Sequence, residues 1–169
     1  MVITYSDCLE RWKSDYQIKK QIADGKLYQI EKGVYADTPD VSILAILSSK
    51  YPKAVFTMDS AFYYHGLTDV IPDEYHIATD RHSMHLSDKR IRQYYIQSDI
   101  FEVGVTTMTR RDATFRIYDR ERMLIELLRY KKSCHSITIK RFSATTETWF
   151  MNLILNEYRN MQPAFPDKK

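Results

Sequence analysis

The sequence predicts an α+β fold, and three observations carry that prediction. Residues 7–36 read as helix, short turn, helix, glycine stop and tight hairpin. Residues 90–118 alternate or run β-branched. A strongly amphipathic helix then opens at Asp119. The two regions divide the chain into a first domain over residues 1–38 and a second over 39–169, the latter a mixed helix plus antiparallel-sheet domain.

Leu9 and Trp12 sit three apart, and Ser6 or Asp7 caps a first helix near Asp7–Lys13. Ser14 or Asp15 caps a second, in which Ile18 and Ile22 share one face. Gly25 stops it, because a residue tolerant of positive φ closes a helix cheaply. The runs 27–30 and 34–36 flank Glu31-Lys32-Gly33 and predict a hairpin turning at Gly33. Helix, turn, helix and hairpin is the order of a winged helix-turn-helix.

After Pro39, Asp40 caps a helix reaching about Ser49. Residues 54–57 form a short strand, and Asp59 opens a helix that ends at His65-Gly66. Strands follow at 75–79, 90–96, 101–108 and 114–118, and the Asp119 helix buries Met123, Leu124, Leu127 and Leu128. Beyond Ser133 the pattern favours a strand at 137–139, a helix at 148–159 and a frayed tail from Pro163.

Apolar residues at 44% and charged residues at 28% exclude a disordered or fibrous chain. The longest apolar run, Ile43 to Leu47, is far short of the ~20 residues of a membrane span. A charged helix soon after Met1 leaves no secretory h-region, so a cytoplasmic chain is expected. Cys8 and Cys134 are too few for a disulfide framework. Net charge is zero over residues 1–38, −3 over 39–79, +4 over 80–132 and +2 thereafter, so any basic patch is local.

No phosphate loop, nucleophile elbow or zinc-protease motif is present, and neither cofactor nor metal is expected. His82-x-x-His85 is the nearest approach to a metal pair, but it lacks a third ligand and reads as a solvated loop. Asp119-Arg120-Glu121-Arg122 reads as a capped helix start. The rival reading, a nuclease or transferase fragment using Asp119, Glu121 and Arg122, is the weaker one, and no enzyme is expected.

The residues with mechanical content lie on the second helix and the wing. Tyr16, Gln17, Lys19, Lys20 and Gln21 are expected to face a DNA major groove, with Lys26 and Lys32 reaching the flanking backbone. The same scaffold used only for protein contacts is the alternative, and the zero net charge of residues 1–38 favours it.

Three ordered motifs resemble the AbiEi family of antitoxins, which belong to type IV toxin–antitoxin and abortive-infection systems. They are Ile22-Ala23-Asp24-Gly25-Lys26-Leu27 with Gly33-Val34-Tyr35, then Ser60 to Pro72 containing His65-Gly66-Leu67-Thr68-Asp69, then Arg116 to Arg129. The resemblance implies a winged helix that binds the operon's own promoter DNA. It also implies a second domain that counters an AbiEii-like nucleotidyltransferase toxin, with the neutralising surface within residues 40–132. Arg110, Arg111, Arg116 and Arg120 are the candidate face for that role. Family members open with a further helix, so the winged helix is expected to be truncated, with the Asp40 helix a candidate for the open place.

Overall fold

The computed structural model describes residues 1–130, with side chains to residue 126. The expected strand at 137–139, the helix at 148–159, the tail from Pro163 and the burial of Leu127 and Leu128 lie outside the described residues. What is described is mixed α+β, with six helices and two sheets.

The chain opens with a strand that local pattern did not reveal, β1 (Val2–Thr4), followed by α1 (Tyr5–Trp12). The helix begins before the expected Ser6 or Asp7 because Thr4 and Asp7 form a capping box. Thr4 Oγ1 accepts from the Asp7 backbone, and the Asp7 carboxylate accepts from Thr4 N at 2.8 Å. Lys13 turns the chain at φ 63°, and Ser14 caps α2 (Asp15–Ala23) as expected. Gly25 closes α2 in a Schellman pattern, with Gly25 N donating to Ile22 O and Lys26 N to Gln21 O. Strands β2 (Tyr28–Glu31) and β3 (Val34–Ala36) then pair around Lys32-Gly33, with a bulge between Gln29 and Glu31.

The three strands form one antiparallel sheet in the order β1-β3-β2. Ile3 pairs with Tyr35, and both point at α1 and α2, closing a small core with Cys8, Ile18 and Leu27. Leu9, Trp12 and Ile22 line its rim. Val2, one residue off, packs into the larger core instead.

Helix α3 (Ile43–Lys50) starts at Ser42, two residues after the expected Asp40, because Ser42 Oγ accepts from Ala45 N. It packs against β8, β1 and β3 and contributes no residue to the small core shared by α1 and α2. Next come β4 (Val55–Phe56), α4 (Met58–Tyr64), β5 (Tyr75–Asp80) and β6 (Ile91–Ile96). The segment expected as one strand from Phe101 divides: Phe101 ends the short helix α5 (Ser98–Phe101), and the strand β7 (Val105–Arg110) begins only after Gly104. Strand β8 (Ala113–Tyr118) and helix α6 (Arg120–Tyr130) complete the described chain.

The larger sheet corrects the expectation of an antiparallel body. Its order is β6-β5-β4-β8-β7, and β5/β6 and β4/β8 pair in parallel. Parallel neighbours need a crossover. Residues 81–90 supply one between β5 and β6 without a helix, and the long excursion from α4 to β7 separates β4 from β8. Alternation in sequence reports a strand but not the direction of its neighbour, so this topology was not legible locally.

Gly104 is required where β7 approaches α6. Its φ is +75°, and a Cβ there would lie 2.6 Å from Arg122 Cβ. Its carbonyl accepts from Asp119 N at 2.7 Å, while Asp119 Oδ1 caps α6 through Arg122 N.

Candidate nucleic-acid interface and the charged surfaces of the body

Ile18 is 3% exposed and anchors α2 to the small core. The helical period therefore turns Tyr16, Gln17, Lys19 and Lys20 outward, with Tyr16 72% exposed, while Gln21 is half-buried. Lys26 follows the helix and Lys32 occupies the wing tip, both exposed. Lys19, Lys20, Lys26 and Lys32 make no ion pair among the described residues. The start of α2 is braced by the Tyr5 hydroxyl, which donates to Asp15 Oδ1 at 2.6 Å. Tyr5 N in turn donates to Gly33 O, which joins α1 to the wing turn.

The β2–β3 hairpin is also clamped to the body, which sequence reasoning missed. Arg90 donates to both oxygens of Glu31 at 2.6 and 3.1 Å and to Asp88 at 2.6 and 2.8 Å. Lys50 donates to Asp88 at 3.0 Å and Glu31 at 3.3 Å. Hydrogen bonding from Arg90 holds both carboxyls well below the usual carboxylate range. Apart from Asp88 and Arg90, the partners lie 19 to 59 residues apart and leave no motif to find.

The four arginines proposed as one face are split by the sheet. Arg110 pairs in register with Ala113, and Arg116 with Thr107, so Arg110 and Arg116 project from opposite faces. Arg110 Nη2 donates to Tyr64 O at 2.9 Å and Arg120 Nη2 to His65 O at 3.2 Å. These two cations converge on the C-terminal carbonyls of α4, where the helix dipole favours them. Arg111 stands beside Arg110 in the hairpin turn, exposed, with φ 50°. Arg116 instead donates to Lys53 O and pairs with Glu102.

Two histidines are built into the body. His65 Nε2 donates to Tyr118 O at 2.7 Å, and burial lowers its pKa. His76 is 6% exposed, with Nδ1 3.1 Å from the Tyr94 hydroxyl and Nε2 3.9 Å from Asp59. Burial lowers its pKa as well, against the opposing pull of Asp59. Arg122 and Glu126 form a buried pair, with Arg122 Nε donating at 2.9 Å and its guanidinium lying over the Tyr118 ring. The Tyr118 phenol is pushed up to about 12 by burial and donates to Phe101 O. His82 and His85 lie on an exposed loop, and no group of three or more potential metal ligands exists among the described residues. No helix among them is long and apolar enough to cross a membrane.

These features define a mixed α+β protein with an exposed, cation-bearing second helix and a β2–β3 hairpin clamped by charge. No family model matches the chain, and a search of curated proteins finds no match.

Proposed function

We propose that this protein is a DNA-binding regulator and antitoxin of the AbiEi type, acting on its own operon's promoter and countering a nucleotidyltransferase-like toxin. One observation carries the DNA-binding part. The order β1-α1-α2-β2-β3 with sheet order β1-β3-β2 buries Ile18 and leaves Tyr16, Gln17, Lys19 and Lys20 on the outward face of α2. Strand, two helices and a hairpin, in that order, support the reading of a winged helix-turn-helix from its first strand onward. In that geometry the second helix enters the major groove and the wing tip follows the backbone. Lys19, Lys20, Lys26 and Lys32 then neutralise phosphates, and Gln17 reads a base edge. For the antitoxin part, Arg110, Arg111 and Arg120 supply one contact patch at the end of α4, and Arg116 a second on the other sheet face.

The test is a gel-shift titration against the gene's own upstream region at several salt concentrations. Lys19→Ala with Lys20→Ala weakens binding to every sequence and lowers the salt slope by about one to two units. Gln17→Ala costs about 1–3 kcal/mol on the cognate site only. Unchanged affinity and slope in the double lysine variant exclude this docking. A second reading, a protein-interaction module on the same scaffold, is favoured by the zero net charge of residues 1–38. Absence of binding by the parent chain at low salt selects it.

A further inference from the structure

One groove of the described body lies outside the surface of α2 and the β2–β3 hairpin and has no part in the DNA reading. It is an open cleft of about 700 Å³ between the start of α3, the end of α4 and the β7–β8 turn. Its floor is aromatic and rigid. Tyr64 packs edge-on against Phe56 and tilted against Phe115, with ring centroids 5.9 and 5.1 Å apart, and Tyr75 meets Phe56 at 6.2 Å. Burial, first, and a hydrogen bond with Tyr75 hold the Tyr64 phenol neutral far above the ordinary range. Tyr63, half-buried, sets its ring 5.5 Å from that of Tyr64 and forms the wall.

The rim is cationic. Arg110 spends one nitrogen on Tyr64 O, and its guanidinium carries further donors. The Arg111 charge acts on the neighbouring Asp112 carboxylate, and its exposed guanidinium keeps its donors at the groove mouth. Asp112 also lines the groove; its carboxylate accepts from Ser42 N at 2.9 Å, which favours the ionised form, so one negative charge stands beside the two arginines. The β7–β8 loop consists of Arg111 and Asp112 alone, since Arg110 and Ala113 are paired. Positive φ at the first loop position of such a turn is where glycine is ordinarily found. An arginine held there at φ 50° carries backbone strain that glycine would not. The turn thus sets a guanidinium at the groove mouth on a backbone that favours glycine.

We propose that this groove binds a nucleoside phosphate, its base stacked on the tyrosine wall and its phosphate held by Arg110 and Arg111. Planar aromatic walls select a ring, and paired guanidiniums select a phosphate through parallel N–H donors. A volume within the 300–1,000 Å³ usual for small-ligand sites suits one nucleotide unit. The inference holds whether or not α2 binds DNA, and it gives Arg110 and Arg111 a nucleotide rather than the toxin surface as their occupant.

The experiment is equilibrium binding of the full chain to AMP, GMP, CMP and UMP, with adenosine, inorganic pyrophosphate and a hexa-aspartate peptide as separate arms. At least one nucleotide is expected to bind, with adenosine and pyrophosphate each about tenfold weaker or more. Arg111→Gly is the decisive variant, because glycine relieves the strained φ: its melting temperature should equal or exceed the parent's while nucleotide affinity falls about tenfold. Tyr63→Ala should weaken nucleotide binding while leaving pyrophosphate unchanged. Pyrophosphate binding as tightly as the nucleotides reduces the site to an anion patch and overturns the proposal. Peptide binding without nucleotide binding overturns it in favour of a protein partner. No binding by any probe at low millimolar concentration, or full affinity in Arg111→Gly, overturns it outright.

Discussion

Single side chains set the sharpest constraints. Gly104 meets Arg122 so closely that even a methyl group has no room, and its φ of +75° is costly for any L-residue. Gly104→Ala should destabilise the protein by about 2–3 kcal/mol, from overpacking and backbone strain together. Urea denaturation measures it, and a loss below half that would mean that α6 can slide away. The histidines give a pH dependence whose sign follows from burial. Both have folded pKa values below 6.5, so above that pH neither state binds the proton. As pH falls below 6.5 the unfolded chain protonates first, and stability declines toward the lower folded pKa. Melting temperature should therefore fall between pH 7 and pH 5. A variant carrying His65→Gln and His76→Asn should show a flatter profile over that window. An identical slope would assign the loss to other groups. Glu31 and Asp88 act separately: their pKa values lie below those of free carboxyls, so their contribution is present above about pH 4.5 and lost only in stronger acid.

Among elements, the wing and the β5–β6 crossover are the pair whose contact matters most. Glu31 ends β2, Arg90 and Asp88 sit just before β6, and Lys50 ends α3, so one four-charge cluster ties three elements together. Asp88 is only 8% exposed at its side chain, whereas Glu31 and Arg90 keep about 30%, so screening discounts the Glu31 contacts. Arg90→Ala should cost about 1–2 kcal/mol, less than a fully buried pair would, and the cost should shrink as salt rises. Chemical denaturation at 0.05 and 1 M salt tests this, and a cost independent of salt would point to lost packing of the arginine stem instead. The helices were the more legible elements. Ser14, Gly25, Gly33 and Asp119 act within four residues of themselves, so their caps and turns could be read from spacing. Strand β1 escaped because three residues carry no period, and its identity depends on pairing with β3, thirty or more residues on.

For the whole molecule, the two parts of the chain share packing. Val2 belongs to the larger core, α3 lies against β1 and β3, and Ser49 Oγ donates to Val2 O. Thermal unfolding monitored by far-ultraviolet circular dichroism and by tyrosine and tryptophan fluorescence should give coincident transitions. A separate, earlier melting of the Trp12 region would show the small core to be independent. The candidate surfaces follow the same division of scale. The outward set on α2 could be read from sequence because Ile18 and Ile22 define the buried stripe, and Lys19 and Lys20 necessarily lie off it. The arginine face could not. Arg110 and Arg116 look alike in a basic stretch, yet register places them on opposite sides of the sheet.

The sequence by itself determined the local elements: where helices cap, where glycines turn the chain, and which stripe of α2 faces inward. These depend on interactions a few residues long, within reach of the residues that make them. Only the tertiary structure decided strand order, the two parallel pairings, the clamp of Glu31 by Arg90 and the groove that joins Tyr63 to Arg111. Each of these brings together groups separated by tens of residues. Their contact rests on how sheet and helices close on a common core, which no local pattern encodes.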